Sequence, residues 1–215
     1  MRKSILICFM LLAAVQGFAQ RRTLMATQYR EFRPSVITFS DGHKSRQSLT
    51  NVFLKNSSLL FMRGENAMEA NMDNIVAVNF EGDRSYVVID KQMAYLVDSV
   101  GSNALYCIEL FDQESYERNL RNNVNISSLD FSSDQLGTTT VDLNTEEDYK
   151  MPVFQHFFIY YNGQYIKVHE RELKRKLPKD KVVMMRRIMA LPDFSWQSTE
   201  SLKQLLKAIS VKSEE

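Results

Sequence analysis

The stretch HFFIYYNGQYIKVH, residues 156–169, carries a histidine at each end of two aromatic, β-branched runs that meet at Asn162-Gly163. Imidazole nitrogens bind zinc, and two held side by side supply half of a tetrahedral site. A two-residue Asn-Gly loop sets Tyr161 against Gln164 and Tyr160 against Tyr165. Continued outward, the same register sets His156 against His169. A third ligand would have to come from Glu170 or Glu172, because His43 belongs to a distant turn. An aromatic and histidine pair on a half-buried strand face is therefore the simpler expectation, with no metal or cofactor. Two facing imidazoles resist charging together, which lowers the pKa of at least one.

Other reactive groups give less. Beyond residue 19 the chain has one cysteine, Cys107, inside the apolar run NALYCIELF. No internal disulfide can form with it, and a buried thiol with no nucleophile signature around it reads as packing. DLNTEEDY spaces oxygen ligands at Asp142, Asn144, Glu146 and Asp148. It lacks the glycine at the sixth loop position and has Val153 where a calcium loop needs glutamate, so it reads as a solvated acidic connection. No G-x-S-x-G, H-E-x-x-H, phosphate loop or G-x-G-x-x-G occurs, and no catalytic residue is assigned.

The elements must position whatever remains. Alternation along the hairpin puts Phe157, Ile159, Tyr161, Gln164, Ile166 and Val168 on one face, which reads as core. His156, Phe158, Tyr160, Tyr165, Lys167 and His169 form the other. With Lys174 and Arg175 from the basic segment that follows, this second face is the candidate surface for a protein or glycan partner, aromatics stacking and cations supplying charge. Charge is unevenly spread: six acidic and no basic residues lie between Asp130 and Asp148, and nine Lys or Arg between Lys167 and Arg187. The formal net charge is only +1, which does not point to nucleic acid. Attraction between the two segments is an equally physical use of the asymmetry.

Residues 33–111 read as short strands punctuated by turns at Asp41-Gly42, Lys55-Asn56-Ser57, Arg63-Gly64-Glu65-Asn66, Glu81-Gly82-Asp83 and Gly101-Ser102-Asn103. A closed barrel or a sandwich would hide the strand edges. DQESYERNLRNN predicts a short helix capped by Asp112. An acidic linker follows, and then the hairpin. Pro178 splits the next stretch into helices near 170–177 and 179–190. STESLKQLLKAIS predicts a final helix capped by Ser198, with Leu202, Leu205, Leu206 and Ile209 on one stripe.

Residues 1–19 have the make-up of a secretory leader: Arg2 and Lys3, an apolar run from Ile5 to Val15, and small residues at Gly17 and Ala19. The run is too short to span a bilayer, and no later stretch is long enough to be a transmembrane helix.

The order of a strand, YNGQYI, a basic helical stretch, LPDFSW and ESLKQLLKAI resembles a C-terminal module of secreted proteins of unassigned function from Bacteroidetes. NVFLKNSSLLF followed by MEANMDNIVAVNF resembles the partner region of such proteins, and the leader ending GFAQ fits their export signals. The resemblance implies export and a two-part layout, and carries no catalytic residues. It also makes Asp98-Ser99-Val100 similar to the acceptor pattern for O-glycosylation in that group, with Ser99 the modified residue.

The expected architecture is α+β. An antiparallel β barrel or sandwich over 20–111 is joined through a helix and acidic linker, 112–151, to a β-hairpin packed with two to three helices over 152–215. The expected role is a non-catalytic binding or interaction module of the cell envelope, periplasmic, outer-membrane-associated or extracellular. An enzyme, or an enzyme's accessory subunit, with a site between the two units is the alternative.

Overall fold

The computed structural model describes residues 25–123 and 151–211. The leader and most of the acidic linker, DLNTEEDY included, lie outside the described residues. Ten strands form the frame: β1 (Arg33–Phe39), β2 (Lys44–Phe53), β3 (Ser58–Arg63), β4 (Asn66–Glu69), β5 (Ile75–Phe80), β6 (Ser85–Ile89), β7 (Gln92–Val100), β8 (Asn103–Phe111), β9 (Val153–Tyr161) and β10 (Gln164–Lys167). The four α-helices of the described residues are α1 (Gln113–Asn123), α2 (Glu170–Lys176), α3 (Lys179–Met189) and α4 (Thr199–Ser210).

All ten strands belong to one antiparallel sheet in the order β10-β9-β8-β7-β6-β5-β1-β2-β3-β4. The sheet is open. The expected barrel does not close, because β4 and β10 remain separate edges. Strong coiling takes the place of closure. The β2–β3 turn folds over until the Leu54 carbonyl accepts from Phe111 N (2.8 Å) and the Ser57 carbonyl from Met93 N (2.7 Å). The Ser57 hydroxyl completes the contact by donating to the Met93 carbonyl at 2.8 Å. Backbone groups of a turn that would otherwise be buried unpaired are thereby satisfied.

The sheet does not stop at the acidic linker. β8 pairs with β9 from Ala104↔Tyr160 to Phe111↔Val153, so strands from both sides of residues 112–151 share one ladder. Asp112 caps α1 as expected, its carboxylate accepting from Ser115 N at 3.0 Å.

Two cores lie on the same face of the sheet and meet at Tyr95. The first fills the coiled N-terminal half with Ile37, Val52, Leu59, Val78, Phe80 and Met93. The second lies under the helices, where Phe157, Ile159, Tyr161 and Ile166 from the hairpin meet Leu173, Met185 and the α4 stripe. Leu202, Leu205, Leu206 and Ile209 are all 0% exposed, so the 3.6-residue period seen in the sequence is the buried face of α4. Ser198 caps that helix, accepting from Ser201 N at 3.3 Å. Cys107 sits in the same core. Burial pushes its thiol up to about 12, which leaves it protonated and inert.

Candidate functional site

The hairpin register is the one its turn dictates: Gln164↔Tyr161, Tyr165↔Tyr160, Ile166↔Ile159, Lys167↔Phe158. Asn162 and Gly163 have φ of 48° and 81°, the positive pair that a type I′ turn requires. One further bond follows Lys167, from Val168 N to the Phe157 carbonyl at 2.8 Å, and with it the ladder ends. His169, still extended at φ −152° and ψ 136°, is the N-cap of α2, its Nδ1 accepting from Arg171 N at 3.3 Å. His156 stays in β9, opposite Ile108 of β8. The Nδ1 of His169 is committed to capping the first helical turn and is not free to serve as a metal ligand. Among the described residues no group of three or more His, Cys, Asp or Glu could hold a metal ion.

Three of the aromatics selected from the sequence do come together. On the sheet face opposite the helices, Tyr165 meets Tyr160 at 5.0 Å between ring centroids and Tyr106 at 5.7 Å. Phe158 joins them around a small cluster of Ile89, Ala94 and Ile108. Tyr106 was missed in the sequence because its strand, NALYCIELF, is apolar on both faces, which hides the alternation that would have assigned it a side. Cross-strand register extends the face to Leu96, opposite Tyr106, and to Phe154, opposite Leu110. These two are 44% and 53% exposed. Among the described residues no helix contributes to this cluster. An open groove on this face is lined by Ile89, Phe158 and Tyr165, by Asp90 from the β6 side of the sheet and by Gln164 and Lys176 from the β10 side.

The basic residues divide. Lys167 is exposed on the aromatic face. Lys174 and Arg175 belong to α2, where they pair with Glu170 and Glu172 one turn back. Such i,i+3 and i,i+4 pairs support an isolated helix by a few tenths of a kcal/mol. Ser99 is exposed in β7, next to the Gly101-Ser102 turn.

His156 is half-buried on this face, and burial followed by the nearby Lys167 charge lowers its pKa from 6.5. The neutral imidazole is therefore the form that the fold prefers. Its contribution is complete above the unfolded value and is lost as pH falls through the lower folded value. Urea midpoints measured near pH 8 and near pH 5.5 should fall further for the parent than for His156→Gln. Equal falls would place the acid sensitivity elsewhere.

The opposite face holds a polar cluster that sequence reading did not find. Glu109, 9% exposed, lies at the junction of the two cores. Arg84 Nη1 donates to its Oε2 at 2.7 Å, while Gln155 Nε2 and the Tyr95 hydroxyl donate to its Oε1 at 3.2 and 3.4 Å. Gln28, with its amide turned to satisfy both ends, donates to Oε2 at 3.0 Å and accepts from Arg84 Nη1 at 3.2 Å. The guanidinium also lies 4.1 Å from the Tyr95 ring centroid. Burial works against the Arg84 charge, yet Glu109 beside it more than compensates, and its pKa is raised. Burial likewise pushes the Tyr95 and Tyr86 phenols well up. Every partner of Glu109 comes from a different segment, so no local spacing could have announced the cluster. Its carboxylate is fully engaged by protein groups, which suits a buried strut better than a reacting group.

No helix of the described residues is long and apolar enough to cross a membrane. Compared with protein-family models, with curated proteins and with solved structures, the chain matches none.

Proposed function

We propose that this is an exported, non-catalytic binding protein of the cell envelope, and that it docks a protein partner on the outer face of β6–β10. The observation that carries the reading is an apolar and aromatic sheet face left without a covering layer among the described residues. A sheet normally buries such a face against a second layer, and a contiguous exposed apolar patch usually has a partner. Leu96 and Phe154 protrude from it at 44% and 53% exposure. A protein surface fits better than a glycan. The rings of Tyr165 are inclined by 51° to Tyr160 and 69° to Tyr106, which gives an uneven surface for interdigitation and no flat shelf for a sugar ring. Tyrosine is also enriched at the energetic centres of protein interfaces. The leader-like first nineteen residues support export.

A photo-crosslinking side chain placed at Tyr160, in cells expressing the full chain, tests this. Adducts should form in the envelope fraction from position 160 and not from Gln204, which is exposed on α4. Equal labelling from both positions, or none from either, would overturn the docking-face reading.

A further inference from the structure

The groove on this face carries opposite charges on its β6 and β10 sides. Asp90 stands at the β6–β7 turn, and Lys176 stands at the last turn of α2 beside Gln164. Neither has an ion-pair partner among the described residues, whereas their neighbours Lys91 and Arg175 are paired with Asp73 and Glu172. Between them lie Ile89, Phe158 and Tyr165 of the outer hydrophobic cluster. A surface that is negative at one end, positive at the other and apolar between them is complementary to itself after a two-fold rotation about an axis in its own plane.

Resting on the docking-face reading above, we infer that the partner is a second copy of this chain, packed face to face through β6–β10 as an isologous dimer. In that arrangement Asp90 of one copy lies over the partner's Lys176, and the partner's Asp90 over Lys176. Leu96 and Phe154 enter the spaces between the facing Tyr106, Phe158, Tyr160 and Tyr165 rings, as side chains do between two stacked sheets.

The dimensions suit the role. Five strands about 4.8 Å apart, each contributing about five residues at ~3.3 Å, span roughly 400 Å² in projection. Side-chain relief over this projection, with Gln92, Ser99, His156 and Lys167 at its polar rim, brings the face toward the ~800 Å² per partner that stable association buries. Dimerisation would also give the open sheet the second layer that its own helices provide only on the other side.

Sedimentation equilibrium of the purified protein tests the inference. The parent should sediment as a dimer, and Leu96→Glu as a monomer with the parent's circular dichroism and unfolding midpoint. Asp90→Lys and Lys176→Asp should each weaken association by about tenfold, while the double reversal Asp90→Lys with Lys176→Asp restores it. Restoration requires the two positions to meet across the interface, which a general effect of charge on solubility would not produce. A parent that stays monomeric at its highest attainable concentration overturns the inference, as does a dimer that Leu96→Glu and the reversals leave untouched. The crosslinking described above separates the levels. Monomeric protein that still gives adducts of a different mass at position 160 keeps the docking face and discards the second copy. Absence of both removes the docking face itself.

Discussion

Leu205→Ala is expected to lower the unfolding free energy by about 2–5 kcal/mol, read as a shifted urea midpoint with an unchanged slope. Leu205 is 0% exposed in the core where α4 packs on β7 and β8. Truncation removes its transfer free energy and leaves a cavity. Leu202, Leu206 and Ile209 on the same stripe hold the helix in place and prevent collapse into the gap. Two features keep the consequence global. The helices have no other extensive apolar face to bury, and β9 and β10 receive their inner-face cover from them. A loss below about 1 kcal/mol would show that the helix is held mainly by its ends, through Ser198 and the Asn103–Ser210 hydrogen bond.

Arg84→Met should cost about 2–4 kcal/mol, for a different reason. The substitution keeps the apolar stem and removes the charge that compensates Glu109. Breaking a buried ion pair from one side typically costs ~3–5 kcal/mol, because the remaining charge keeps its desolvation penalty. Here the value belongs at the lower end, since the Arg84 side chain is 35% exposed and water can partly replace it. Replacing Glu109 as well, by methionine, should return much of the loss, because two apolar groups of similar shape no longer leave a charge in the core. Chemical denaturation of the two single variants and the double variant measures the coupling directly. If Arg84→Met and the double variant are equally unstable, the contribution of Arg84 is its packing on Tyr95 and not its charge.

The two effects are unequally visible in the sequence. The α4 stripe could be read residue by residue, because a helix's buried side is set by a local period and its start by a local cap. The Asn162-Gly163 turn was as legible, since positive φ at two successive residues is a constraint that few residue types meet. The β6–β7 turn uses Asp90 and Lys91 at φ of 48° and 67°, without glycine or asparagine, and gave no comparable signal. Its position is set by the pairing of β6 with β7, and the cost of those conformations falls on the rest of the sheet. In the same way nothing in the hairpin's alternation announced that His169 would cap the helix that follows.

What the sequence determined by itself is therefore local: strand alternation, helix faces, turns, and the leader-like start. Each rests on interactions between residues close together in the chain. Tertiary structure alone decided three things. The sheet coils without closing, because the β2–β3 turn finds its hydrogen-bond partners on β7 and β8. Glu109 is compensated by groups from Gln28 to Gln155. The aromatic side of the hairpin lies away from the helices, because α4 covers the Tyr95 and Cys107 side of the sheet. All three depend on which distant segments meet, and the energy of bringing them together comes from burial summed over the whole sheet, a quantity that no short stretch of residues contains.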